Sequence, residues 1–193
     1  MKRVIVGLLM LLGCTTTQAG GLDLSLSKET ANLAVLLNPG LRYIPNSGGG
    51  SDISIGAFTN EAGDNLAFGL LMVRGVRQSD TAQYKLGAGV KVIAGDLDID
   101  ESVGALALGF QTSVLLASSA YNPVDFVVEG FYAPSISSFS DAESFTEFSA
   151  RIQIEVIPQA RAFVGYRRML FDTNDYTDLT MDRSVHVGLS LNF

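Results

Sequence analysis

The chain has 193 residues and a formal net charge of −7, and 47% of its residues are hydrophobic. The single cysteine excludes a disulfide framework, and the single histidine excludes a histidine-rich metal site. The acidic balance argues against nucleic acid as a partner, and the length favours a single domain.

The first nineteen residues have the three parts of a secretory signal. Two basic residues come first, an apolar core follows over residues 4–12, and small and polar residues lead to Ala19. The core is shorter than the roughly 20 residues that a membrane-spanning helix needs. We therefore predict export, removal of residues 1–19, and a mature domain of residues 20–193. The alternative is a lipoprotein whose Cys14 is lipidated.

Apolar residues alternate with polar or small ones along the mature chain, and this period of two is the signature of strands. The runs cover residues 22–27, 33–37, 53–58, 66–76, 84–92, 103–114, 126–132, 148–156, 161–167 and 185–193. Several runs have the length of about 9–11 residues that crosses a bilayer at a tilt. We predict an all-β fold, a closed antiparallel up-and-down transmembrane β-barrel of about ten strands. Eight strands, with the short first two runs merged, is the alternative.

The last run has the most regular alternation. Its apolar positions are Val185, Val187, Leu189, Leu191 and Phe193. A C-terminal strand that closes on Phe resembles the last strand of bacterial outer-membrane β-barrels. That resemblance implies localisation in the cell outer membrane and recognition of this strand by the barrel-assembly machinery.

The polar face of the strands indicates which face points inward. A soluble lipocalin-like barrel would have its apolar face inside. Here the polar face holds mainly Gly, Ser, Asn and Gln, which suit a narrow interior, and its few charges can pair there at a reduced cost of burial. We therefore predict that the apolar face meets lipid and that the following residues line the interior: Lys85, Lys91, Glu129, Arg151, Glu155, Arg161, Arg167 and His186.

Counting connections back from Phe193 assigns alternate loops to the outside of the cell. The predicted outer loops, which hold twelve of the twenty acidic residues, are 60–65, 95–102, 134–144 and 172–182. The predicted periplasmic connections are 38–50, 77–82, 115–123 and 158–160. Residues 96–107 lack the glycine and the final glutamate of an EF-hand. The acidic loops therefore predict at most weak binding of divalent cations, and no metal site is assigned.

His186 raises the question of catalysis. A lipid-hydrolysing barrel needs a serine, a histidine and an orienting group that are open to lipid. His186 shares the predicted interior face with Ser184, and no acid is placed beside them by the sequence. No G-x-S-x-G, phosphate-loop or H-E-x-x-H motif occurs. We predict that the protein is not an enzyme and uses no cofactor.

Three segments carry a family resemblance: residues 21–25, 57–60 and 187–193. With the glycine-rich alternating strands between them, they resemble the YfaZ-like outer-membrane proteins. The resemblance implies an outer-membrane barrel and supplies no functional residues. We expect a structural or surface role, with outer-membrane lipid and lipopolysaccharide as partners. A narrow channel for ions or small solutes and a soluble periplasmic ligand-binding barrel are the alternatives.

Overall fold

The computed structural model describes residues 20–37, 50–78, 83–117 and 122–193. The strands in these ranges are β1 (Gly20–Leu26), β2 (Thr30–Leu37), β3 (Gly50–Asn60), β4 (Asn65–Gln78), β5 (Gln83–Asp96), β6 (Ser102–Ala117), β7 (Val124–Ala133), β8 (Ser138–Ser140), β9 (Ala142–Ile157), β10 (Ala160–Thr173) and β11 (Leu179–Asn192). No helix in these ranges is long and apolar enough to cross a membrane. The predicted signal, residues 1–19, lies outside the described residues, as do residues 38–49 of the first predicted periplasmic connection.

Ten of the strands form a closed ring. Each pairs antiparallel with the next along the chain, β7 pairs with β9, and β1 pairs with β11 to complete the circle. This confirms the predicted closed antiparallel barrel. A turn at residues 27–29 separates β1 from β2, so the eight-strand alternative does not hold. Among the described residues, closure leaves the ten-strand ring without an edge strand.

β8 lies outside the ring. It pairs with residues Val103 to Ala105 of β6, beyond the point where β7 ends. Phe139 of β8 covers Gly104, where an added Cβ would lie 2.0 Å from the phenylalanine ring. The strand falls within the predicted outer loop 134–144, and three residues are too few for alternation to be detected there.

Gly20 and Phe193, the first and last described residues, lie together. The Gly20 amide donates to the Phe193 carbonyl at 2.6 Å, and the Phe193 amide donates to the Gly20 carbonyl at 2.8 Å. We call this the terminal end of the barrel; the tight connection at residues 158–159 is also here. The opposite end, called the loop end, carries residues 27–29, 61–64, 97–101, 134–141 and 174–178.

Side chains alternate between the exterior and the interior of the barrel. On β11, the outward Val185, Val187, Leu189 and Leu191 are 38–65% exposed, whereas the inward His186 is 5% exposed. The same outward apolar face continues around the ring through Leu71, Leu86, Val92, Leu108, Ile152 and Val164. This is the reverse of a lipocalin-like barrel, whose apolar face is inside.

Gly188 lies where strands and an interior ring approach each other closely. An added Cβ would lie 2.2 Å from the Phe163 ring and 2.3 Å from the Leu24 carbonyl oxygen. We expect Gly188→Ala to lower the free energy of unfolding by about 1–3 kcal/mol, as overpacking does. Gly69→Ala is the control, since its Cβ would meet nothing within 4 Å. Urea unfolding followed by far-UV circular dichroism measures both; equal midpoints would contradict the close approach.

Candidate functional site in the barrel interior

The interior has two layers that differ in residue type. The layer towards the loop end is apolar, and we call its buried residues the apolar plug: Phe58, Leu66, Met72, Ile93, Leu97, Val103, Ala105, Ala107, Phe131, Ala133, Ala142, Phe145, Met169, Phe171 and Met181. Met72 lies at the middle of β4, and the others come from the loop-end halves of the strands and from the adjoining loops. The interior is therefore filled by its own side chains at this level.

Phe145 and Phe171 are among the largest fully buried side chains of the plug. They are register neighbours on β9 and β10, with ring centroids 4.7 Å apart. The cavity lined by Phe58, Leu66, Phe68, Lys91, Ile93 and Met169 has a volume of about 10 Å³. That volume holds one water molecule at most.

An ion pair spans the interior next to the plug. Lys91 on β5 donates to Glu147 on β9, and β6 and β7 separate these two strands in the ring. The Lys91 ammonium also lies 4.6 Å from the Phe68 ring centroid and 5.5 Å from that of Phe131. The carboxylate and the two ring faces together offset the loss of hydration of the buried ammonium.

The most buried ion pair joins Arg167 of β10 to Asp182 of β11. Arg167 Nε lies 2.6 Å from Asp182 Oδ2, and the two side chains are 6% and 0% exposed. The Ser184 hydroxyl donates to Asp182 Oδ1 at 2.6 Å, and the Thr30 hydroxyl lies 3.4 Å from Oδ2. Side chains from three strands therefore contact the Asp182 carboxylate.

A β-bulge places this acid inside the barrel. The register between β10 and β11 shifts between Met169 and Leu170, so that the consecutive residues Met181 and Asp182 are both buried. Such a bulge re-aims side chains without breaking the sheet. The assignment of Asp182 to the predicted outer loop 172–182 is therefore wrong, because β11 already begins at Leu179.

A chain of polar contacts crosses the interior nearer the terminal end. Asp52 pairs with Arg74, Arg74 Nε donates to the side-chain oxygen of Gln111, and the Gln111 amide donates to Glu129. These four residues lie on β3, β4, β6 and β7. The contacts tie together strands on one half of the ring.

Two further arginines complete the polar layer. Arg151 Nη1 lies 3.2 Å from Asp23 Oδ2, and its guanidinium is 4.8 Å from the Phe163 ring centroid. Arg161 lies 3.1 Å from a Glu155 oxygen and 3.7 Å from an Asp125 oxygen. We call all these contacts, with Lys91–Glu147 and Arg167–Asp182, the interior ion-pair network.

The structure places the eight residues predicted to line the interior on its inward faces, where Lys85 shares the inward side of β5 with Lys91. Several other residues of the interior ion-pair network were not predicted from the sequence as interior residues: Asp23, Asp52, Arg74, Gln111, Asp125, Glu147 and Asp182. Position along the strand is a signal for some of them. Glu147 lies an even number of residues from Arg151 on β9, as Asp125 does from Glu129 on β7, and so they share a face.

His186 faces the interior, edge-on to Phe163, with the ring centroids 6.0 Å apart. Its Nδ1 is buried and has no hydrogen-bond partner among the described residues. The Ser184 hydroxyl donates instead to Asp182. A nucleophilic serine would need a histidine within hydrogen-bond reach, and Ser184 and His186 are not arranged in that way.

Carboxylates at the loop end accept hydrogen bonds from other residues at that end. Asn60 donates to Asp64 Oδ2 at 2.7 Å, and the Asp98 amide donates to Asp64 Oδ1 at 2.9 Å. Asp172 Oδ2 accepts from the Ser144 hydroxyl at 2.7 Å. Within the part of the chain that the structure describes, no group of three or more His, Cys, Asp or Glu side chains is placed to hold a metal ion.

A family model described as "YfaZ: YfaZ precursor" matches residues 1–193, the whole chain. No curated protein sequence matches this chain. A solved structure described as "Unveiling the Mechanism Behind the in-meso Crystallization of Membrane Proteins" aligns at 10% identity over 91% of this chain and 83% of that chain, with a TM-score of 0.41. Neither a shared fold nor a shared function is inferred from this alignment.

Proposed function

The chain belongs to the YfaZ family of precursor, hence exported, proteins, and from this premise we propose that it is a small outer-membrane barrel with a closed interior and a structural or surface role. The observation that carries the proposal is the pairing of an apolar exterior with a filled, charge-paired interior. Exposed aliphatic residues on every side of a barrel need lipid to cover them. A soluble ligand-binding barrel would expose polar residues instead.

The height of the apolar exterior supports this assignment. On β9, outward apolar residues run from Phe148 to Val156. At about 3.3 Å per residue and a tilt of about 40°, this run rises roughly 20 Å, close to the apolar band of about 25 Å in outer-membrane barrels. Exposed Tyr84 lies towards the terminal end and exposed Tyr132 towards the loop end, where aromatic side chains meet headgroups.

The orientation follows from the connections. Short turns face the periplasm in such barrels and longer loops face outward. The two-residue connection at 158–159 lies at the terminal end, and the longer connection at 134–141 at the loop end. We therefore assign the terminal end to the periplasm and the acidic loops to the outside. β11 is then the strand for the barrel-assembly machinery to recognise.

The apolar plug favours a closed barrel over a narrow channel. Conduction needs a continuous polar path through the barrel. The plug fills the part of the interior towards the loop end, and the cavity next to Lys91 there has a volume of only about 10 Å³. The charges of the polar layer are largely engaged with one another. This arrangement is expected of a closed structural barrel rather than of a channel.

We expect the refolded protein to add no steady ion conductance to a planar lipid bilayer. It should float with vesicles in a density gradient without detergent, and its gel mobility should change on heating. Heat-unfolded protein at the same concentration is the control. Reproducible conductance by the folded protein would overturn the closed interior, and failure to float would overturn the membrane assignment itself.

We propose no catalytic role for this barrel. His186 faces the interior, away from lipid, and is buried there. The Ser184 hydroxyl is committed to Asp182 rather than to His186. Both observations support a non-enzymatic role.

A further inference from the structure

Most basic side chains of this barrel have an acidic partner. Of the nine whose side chains the structure describes, six are in ion pairs: Lys28, Arg74, Lys91, Arg151, Arg161 and Arg167. The other three are Lys85 in the interior and Arg168 and Arg183, which are exposed on the exterior. In a chain with a net charge of −7, two exposed arginines without an ion pair among the described residues stand out.

Arg168 and Arg183 are neighbours. They lie directly opposite each other in the register of β10 and β11, where like charges destabilise a sheet. On its other side Arg168 faces Phe148 of β9, which brings no charge. An anion bound between the two guanidinium groups would relieve their repulsion, and their planar donor arrays fit phosphate oxygens.

Both arginines lie at the loop-end edge of the apolar exterior. Towards the terminal end, the next outward residue after Arg183 is Val185, and the next after Arg168 is Tyr166; both are exposed. Arg183 lies ten residue steps before Phe193, which at about 3.3 Å per step and a tilt of about 40° is a rise of roughly 25 Å. This is about the height of the apolar band, so the guanidinium groups lie at headgroup level.

We propose that Arg168 and Arg183 bind a phosphate of the lipid A part of lipopolysaccharide, with Phe148, Tyr166 and Val185 against its acyl chains. The inference rests on the proposed function, because it requires the loop end to face outward. Charge complementarity selects the occupant: a phosphorylated glycolipid presents anionic groups directly above its acyl chains. The barrel exterior has the same arrangement: the arginines lie towards the loop end, and apolar side chains follow them towards the terminal end.

The test compares wild-type protein with Arg168→Gln/Arg183→Gln. Folded barrel in detergent is titrated with bisphosphorylated lipid A, and retained lipid is measured by native mass spectrometry. We expect the apparent affinity to fall about thirtyfold, as for two lost basic contacts at a membrane surface. Lys85→Gln removes a positive charge inside the barrel, away from lipid, and should leave the affinity unchanged. The double arginine variant should fold normally, since it removes a repulsion.

Two further lipids distinguish the source of the phosphate. Dephosphorylated lipid A should bind wild-type protein as weakly as lipid A binds the arginine variant, and phosphatidylglycerol should bind more weakly than lipid A. Equal lipid A retention by wild type and variant, or a preference for phosphatidylglycerol, would overturn the proposal. A barrel that does not float with vesicles would instead count against the proposed function, so the two failures are distinguishable.

Discussion

Asp182→Asn should lower the free energy of unfolding by about 3–5 kcal/mol, the usual cost of removing one partner of a buried ion pair. Arg167 Nε lies 2.6 Å from the Asp182 carboxylate, and its side chain is 6% exposed. The substitution leaves the guanidinium inside the barrel without its anion. It also weakens the contacts that Ser184 and Thr30 make with the same carboxylate.

A matched variant separates this effect from a change in net charge. Asp175→Asn removes the same charge from an exposed residue of the neighbouring loop, and we expect a change within about 0.5 kcal/mol. Arg167→Met combined with Asp182→Asn removes both charges and should recover much of the loss, since no unpaired charge is then left in the interior. Urea unfolding in lipid vesicles, followed by circular dichroism, gives the midpoints. Equal midpoints for Asp182→Asn and Asp175→Asn would show that the pair does not stabilise the barrel.

The barrel itself could be predicted because strand alternation is a local property of the sequence. Successive residues such as Val185, His186 and Val187 reveal the two faces without knowledge of any partner strand. The plug also has a local signal. Residues 66–76 are mostly apolar on both faces, and in the structure their inward members Leu66 and Met72 belong to the plug while Leu71 and Val73 face outward.

The pairing of interior charges could not be predicted in the same way. Lys91 and Glu147 are 56 residues apart in the chain, and Arg151 and Asp23 are 128 apart. Alternation fixes the side of the sheet on which a residue lies, but its height depends on the tilt and stagger of all ten strands. The bulge that turns Asp182 inward adds one residue to the count, and no alternation pattern marks it.

The centre of the plug is where a single apolar truncation should cost most. Phe145→Ala removes a fully buried ring that packs 4.7 Å from that of Phe171. We expect a loss of about 3–5 kcal/mol in the free energy of unfolding, because a cavity remains in addition to the lost burial. Phe148→Ala on the same strand is the matched control: its ring faces outward and is 44% exposed. Lipid can fill the space left there, so only the transfer part, about 2 kcal/mol, should be lost.

The same pair of variants tests what closes the barrel. If the plug blocks the interior, Phe145→Ala combined with Phe171→Ala should admit water at the narrowest level and raise ion conductance above that of the silent wild type. Phe148→Ala should stay silent, because it alters only the lipid-facing surface. Equal stability losses for Phe145→Ala and Phe148→Ala would mean that the interior collapses around the lost ring. The closure would then depend on the interior ion-pair network rather than on the plug.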